Sequence, residues 1–326
     1  MGVIEKYRDR LPVTASTPAL TLGEGNTPLI RSERLSAKLG VELYFKFEGA
    51  NPTGSFKDRG MVVAVAKAVE EGARGIVCAS TGNTAASCAA YAARAGIPAV
   101  VLHPAGAIAA AKQAQARAVG ARVLEVRGSF DDALRSCQEL AGRSSFALVN
   151  SVNPYRIEGQ KTAAFEVIEQ LGRVPDVLAL PYGGGGNTVA YAKGFAEAGA
   201  SLRIVSSQAA ERAVTLASAI RIAEPAHLDE VAELVDEGRV EVVTVPDDEI
   251  TDAWLEVASL EGVFCEPSSA AGVAALAHVE LELGSTVVCV LTGHGLKDTG
   301  AIEALTPATT VVEPTLDAIL AEVANA

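Results

Sequence analysis

Rings are scarce in this sequence: eight phenylalanines, six tyrosines and one tryptophan make up 5% of 326 residues. Apolar residues nevertheless reach 49%, so Ala, Val and Leu must fill the core, and the chain is not of a disordered type. At 33.5 kDa it is long enough for one large domain or two modest ones. Cysteine is limited to Cys78, Cys88, Cys137, Cys265 and Cys289. That number is odd, no C-x-x-C occurs, and each cysteine lies in an apolar segment. A zinc ribbon is ruled out by this spacing, and the thiols read as small core residues in a reducing compartment. The four histidines form no metal-ligand spacing, so no metal is expected. Basic charge is also short, with 27 Lys and Arg against 40 Asp and Glu, a formal −13. An acidic surface argues against nucleic acid or anionic membrane as partner. A small anionic substrate needs only a few local cations and stays open. No run approaches twenty apolar residues, and the opening MGVIEKYR lacks the apolar stretch of a signal peptide. The expected address is the cytoplasm.

What is present is a rhythm. Strand-like runs begin near Gly75 (GIVCAS), Pro98 (PAVVLH), Arg122 (RVLEV) and Phe146 (FALVN), 23 to 24 residues apart. Helical patterns over 83–95, 108–119 and 131–141 separate them. A second series has strands near Asp176, Leu202, Arg239 and Ser285, with helices expected over 158–171, 187–198, 248–261 and 269–283. Alternation of this kind predicts α/β architecture with doubly wound parallel sheets. Two blocks predict two lobes with a cleft between them, divided near Asn150–Glu158.

Five segments carry chemistry. In NPTGSFKDRG (51–60) a turn leads into a helix that starts near Ser55 and places Lys57 in its first turn. The helix dipole there opposes a second positive charge, so Lys57 is a candidate amine nucleophile; an exposed first-turn lysine is the bland alternative. In ASTGNTAA (79–86) hydroxyls and helix N–H groups converge on a carboxylate-sized site, or form an ordinary N-cap cluster. In PYGGGGNT (181–188) four glycines present successive N–H groups to an anion such as phosphate. The dinucleotide fingerprint is not met, because Thr188 stands where a third glycine belongs. LTGHGLKD (291–298) follows the last strong strand; Thr292 can offer a hydroxyl to a ring nitrogen, and His294 reads as a loop anchor. NSVNPYRIEGQK (150–161) clusters Asn150, Ser151 and Arg156 as an oxyanion clamp.

Together with EPSSAA (266–271), these segments resemble the fold-type II pyridoxal-phosphate enzymes of the tryptophan synthase β-like group. Within them the chain is similar to the threonine synthase family, in the short form without an N-terminal zinc-binding extension. The resemblance runs from EGNTPL (24–29) to Lys297-Asp298. It implies two doubly wound α/β domains with the active site in the cleft between them. Residues 1–52 and 150–326 would form the larger, cofactor-binding domain, and 53–149 a smaller mobile one. It implies pyridoxal 5'-phosphate on Lys57, Asn83 at the ring hydroxyl, Gly183, Gly184, Gly185, Gly186 and Asn187 around the phosphate, and Thr292 at the ring nitrogen. Ser80, Thr81 and Thr84 would hold the substrate carboxylate, and Lys112, Asn150, Ser151 and Arg156 a substrate phosphate. The implied reaction takes O-phospho-L-homoserine and water to L-threonine and phosphate, and the implied assembly is a homodimer. Another lyase of this fold, such as a threonine or serine dehydratase, or a paralogue using a different phosphorylated amino acid, is the alternative. Two departures bear on it: Gly184 stands where such enzymes usually carry Asn, and the stretch 207–215 is shorter than the family's loop.

Overall fold

The computed structural model describes residues 1–106, 110–306 and 309–323. The chain opens with β1 (Leu29–Arg31) and β2 (Glu42–Phe47). It then builds β3 (Gly75–Ala79), β4 (Ala99–Pro104), β5 (Arg122–Val126) and β6 (Phe146–Leu148). It continues with β7 (Val177–Pro181), β8 (Arg203–Ala209), β9 (Val240–Val245) and β10 (Thr286–Leu291). Two sheets result, in the orders β1-β2-β10-β7-β8-β9 and β5-β4-β3-β6. Among the described residues, every pairing between these strands is parallel except β1 with β2, where Leu29 faces Lys46.

Both sheets are covered on both faces, as parallel sheets require. Along β7, Val177 and Ala179 join the cluster around Trp254, while Leu178 and Leu180 join one around Phe195. Along β3, Ile76 and Cys78 pack with Met61 and Cys88, while Val77 and Ala79 pack with Ala133 and Cys137. All five cysteines are buried and free. No helix among the described residues is long and apolar enough to cross a membrane, and no cluster there could hold a metal ion.

The structure departs from the sequence pattern in four places. Strands β1 and β2 precede the expected series. β2 escapes recognition because Lys46 sits in it fully buried, with its ammonium bonded to Thr27 O, Glu166 and Gln170. The helix expected to reach Leu283 ends much earlier. It runs over Pro267–Ala274 and a 3-10 turn over Ala275–His278, after which Val279 is extended and Gly284 (φ +78°) turns the chain into β10. A helix over Leu228–Asp236, anchored by buried Val231 and Leu234, separates β8 from β9. The expected 158–171 helix is two, Pro154–Gln160 and Thr162–Leu171. Of the helix expected at 108–119, Ala110–Ala118 is seen, and residues 108 and 109 lie outside the described residues.

One crossing positions the chemistry. The helix Lys57–Glu70 packs on Pro154–Gln160 through two glycines. A Cβ on Gly159 would stand 2.0 Å from Arg59 O, and one on Gly60 2.5 Å from Arg156 O. Only backbone against backbone fits. This contact brings the turn bearing Lys57 beside the helix bearing Arg156.

Candidate active site

The segments singled out from sequence lie past the C-terminal ends of parallel strands, where open α/β sheets bind ligands. Ser80–Asn83 follows β3, Asn150 follows β6, the glycine run follows β7, and Thr292 follows β10.

Lys57 is the first residue of its helix. Asp58 folds back to accept Thr53 N at 2.7 Å and Thr53 Oγ1 at 2.6 Å, closing the turn that presents it. A bond from Phe56 N to Thr292 O (3.0 Å) fastens that turn to the end of β10. Burial, and then the positive charge of Arg156, bring the Lys57 amine down to about 7, with the Glu266 carboxylate opposing them. An amine in that range is about half free base at neutral pH, far more than an ordinary lysine, and suited to attack a carbonyl.

Ser80 Oγ accepts from Gly82 N (3.0 Å) and Ala85 N (3.3 Å), tying the turn that opens the helix Asn83–Ala95. Thr81 and Thr84 are half-buried in the same turn. Asn83 is buried; its Nδ2 shares one N–H between the two Glu266 oxygens, at 3.1 and 3.2 Å, and its Oδ1 has no partner. Lys112 reaches the same carboxylate at 3.6 Å and donates to Ser218 Oγ at 3.3 Å. Glu266 therefore sits at the hub of this group, a residue that sequence reasoning did not assign.

Gly185 takes φ +85° as the residue before the helix Gly186–Glu197. A Cβ there would lie 3.1 Å from His227 and Val231. Asn187, in the helix's first turn, is buried with Nδ2 unpartnered. Missed from sequence, His227 supports this loop. Its N–H donates to Gly184 O at 3.0 Å, and its ring spans Glu230 Oε1 and Ser151 O, both at 3.0 Å. Arg212 lies over the Tyr182 ring and donates to Gly183 O at 3.2 Å, so the short 207–215 stretch still holds the loop from outside. At Gly184 a Cβ would meet only Ile222 Cδ1, at 3.7 Å, leaving room for a side chain that this chain lacks.

Thr292 Oγ1 shares a bond of 3.1 Å with Ser269 Oγ. His294 anchors its loop, its Nδ1 accepting from Leu296 N, with Phe47 and Phe264 against the ring. Asn150 differs from a free clamp residue: its amide bonds Ala79 N and O, both at 2.9 Å, and joins β6 to β3. Arg156 is fully buried, with Nη1 donating to Val149 O at 2.9 Å and both Nε and Nη2 unpartnered. Burial brings its guanidinium down to about 10. Buried donors left open in this way cost stability unless a ligand meets them.

The arrangement fits a phosphorylated aromatic aldehyde. A weakly basic amine stands at Lys57, Asn187 keeps a buried donor without a partner, and the glycine turn leaves a cradle that side chains would fill.

The profile of the family described as pyridoxal-phosphate dependent enzyme matches residues 20–293. The chain is 53% identical to the threonine synthase of Halalkalibacterium halodurans over 317 residues, covering 91% of this chain and 90% of that protein. It is 47% identical to the threonine synthase of Mycobacterium tuberculosis, covering 91% and 89%. Among solved structures, maize serine racemase superposes with a TM-score of 0.77 at 23% identity, over 93% of this chain and 95% of that one. The processed form of threonine deaminase isoform 2 from Solanum lycopersicum gives 0.75 at 24%, over 92% and 88%.

Proposed function

The chain belongs to the pyridoxal-phosphate dependent enzymes and, within them, to the threonine synthases, and on that premise we propose that it converts O-phospho-L-homoserine and water into L-threonine and phosphate by γ-elimination and β-addition. It is a carbon–oxygen lyase acting on phosphates, and its cofactor is pyridoxal 5'-phosphate.

The bound cofactor supplies an electron sink for charge that develops on the substrate carbons. Everything else falls to the chain. Lys57 would carry the cofactor and, as a free amine, would take the Cα proton of the substrate and later return it. Gly183, Gly184, Gly185, Gly186 and Asn187 receive the cofactor phosphate through N–H groups at a helix start. Asn83 would donate to the ring hydroxyl, and Thr292 would meet the ring nitrogen as a neutral partner. Ser80, Thr81 and Thr84 hold the substrate carboxylate. Lys112, Ser151 and Arg156 would take the distal phosphate, which leaves from Cγ, while Asn150 holds β6 to β3 beside them.

The observation that carries the substrate assignment is Arg156, whose two unpartnered nitrogens lie buried close enough to Lys57 to depress its basicity. A planar fork of donors suits a phosphate dianion. Residues 53–149 act in this reading as the mobile domain, and Lys297 supports closure by reaching Thr53 O (2.8 Å) and Gln115 (2.6 Å). A cytoplasmic homodimer completes the reading. In support of the dimer, Leu316, Ile319, Leu320 and Val323 form an exposed stripe on the helix Leu316–Val323.

The test is phosphate release and amino-acid analysis with O-phosphohomoserine, beside serine and threonine. Arg156→Ala should lower kcat/KM for the phosphorylated substrate by roughly 30- to 1,000-fold. Any weak serine deamination should survive, because serine carries no distal phosphate. Equal loss of both activities would make Arg156 structural and remove this support.

A further inference from the structure

Glu266 stands where four elements meet. The indole of Trp254 donates to Cys265 O at 2.7 Å, and Glu266 N donates to Gly293 O at 2.9 Å, so the backbone on both sides is fixed. Glu266 is the N-cap residue of the helix Pro267–Ala274, yet its carboxylate makes no capping bond. Instead it turns to Asn83 and is 1% exposed. A Cβ on Gly293 would lie 2.4 Å from Oε1, so that wall of the site must be glycine for the carboxylate to pass.

A buried carboxylate needs compensating charge. Lys112 supplies it at 3.6 Å, and the same carboxylate acts on Lys57 and Lys297 through space, opposing the loss of basicity that burial imposes on each. When ionised it can only accept hydrogen bonds. That restriction has a consequence for Asn83. An amide in a polar pocket can turn over and exchange its oxygen for its nitrogen, but an acceptor-only partner admits one orientation.

We propose that Glu266 is a positioning residue that locks the Asn83 amide with its nitrogen toward the carboxylate, so that the second Nδ2–H stays available to the ring hydroxyl of the cofactor. This rests on the assignment of Asn83 to that hydroxyl. The buried, unpartnered Oδ1 of Asn83 is the reverse side of the same orientation.

The experiment measures the dissociation constant of pyridoxal 5'-phosphate and the pH dependence of its visible absorbance in the folded holoenzyme. It compares wild type, Asn83→Ala, Glu266→Gln, Glu266→Asp and the Asn83→Ala/Glu266→Gln pair. Glutamine keeps the shape but can donate as well as accept, which frees the amide to turn. Aspartate keeps the negative charge beside Lys112 but withdraws it from Asn83. Asn83→Ala and both Glu266 variants should each weaken cofactor binding, by about tenfold for one lost hydrogen bond, and shift the absorbance in the same direction. The double variant should be no worse than Asn83→Ala alone. If Asn83→Ala weakens binding while Glu266→Gln binds as wild type, the positioning role falls and the Asn83 assignment stands. Additive losses in the double variant, or an aspartate variant indistinguishable from wild type, would show that Glu266 acts by charge alone and overturn the proposal. If Asn83→Ala itself binds and absorbs as wild type, the assignment and the proposal fall together.

Discussion

A single amine sets the reactivity of this site. Burial and Arg156 hold Lys57 near 7, so its free-base fraction rises as pH climbs through that value. Loading of pyridoxal 5'-phosphate onto cofactor-free protein should therefore accelerate between about pH 6 and 8 and then level off. Arg156→Ala removes a cation that disfavours protonation of Lys57, so the midpoint should move to higher pH. Stopped-flow absorbance across the pH range reads both effects; a midpoint unmoved by Arg156→Ala would show that the two groups are not coupled. Lys57→Ala should load no cofactor covalently and form no threonine. The opposite kind of residue is Gly184, which offers no side chain and has room for one. Gly184→Asn should fit and add a donor beside the phosphates. A hydrogen bond to a charged group contributes roughly 1.5–3 kcal/mol, so KM for O-phosphohomoserine should fall by about tenfold or more at little cost in melting temperature.

At the scale of elements, the site depends on how closely helices 57–70 and 154–160 approach. Gly159→Ala would drive a methyl into Arg59 O. Overpacking of this kind costs about 1–3 kcal/mol where neighbours can relax, and backbone relaxes least. Thermal denaturation should show at least that loss. kcat/KM should fall further than the stability, because the Lys57 turn and Arg156 are displaced relative to each other. An unchanged kcat/KM at a lowered melting temperature would separate the crossing from the chemistry. How much was legible beforehand follows the same division. Lys57, Asn83, the glycine run and Thr292 each stand in a local strand–loop–helix motif, and a local motif can be read from spacing. Glu266 and His227 owe their roles to partners far away in sequence, 183 residues for Asn83 and 76 for Ser151, and no periodicity reports that. β2 was hidden for a related reason: Lys46 looks like a surface residue until Glu166 is beside it. The sequence pattern over 269–283 overruns the observed helix because Ala-rich sequence continues past the point where tertiary packing extends the chain at Val279.

The whole molecule is fastened by the charges beneath the site. Arg59, two residues after Lys57, grips Glu48 with Nε and Nη2 at 2.7 and 2.8 Å and Glu166 with Nη1 and Nη2 at 2.9 and 2.6 Å. Lys46 adds a second cation on Glu166 at 3.0 Å, and all four side chains are at most 1% exposed. The group is formally neutral, and it ties β2, the turn after it, the Lys57 helix and the helix Thr162–Leu171 into one unit. Burial alone would raise both carboxyls, but Arg59 holds Glu48 and Glu166 below the usual carboxylate range. Arg59→Met would leave two buried carboxylates with one lysine. Breaking a buried ionic group in this way costs about 3–5 kcal/mol. The cost must depend on pH, and the sign is fixed. Wild-type carboxylates with depressed values keep their contribution down to the unfolded value near 4.5 and lose it only below. In the variant, burial is no longer opposed by Arg59, so the carboxyls protonate more readily in the folded state than in the unfolded one, and acid relieves part of the damage. Urea denaturation at about pH 7.5 and about pH 5 should therefore show a smaller gap between variant and wild type at the lower pH. If the gap instead widens toward acid, the carboxylates remain satisfied without Arg59, and the clamp on these elements is Lys46 acting alone.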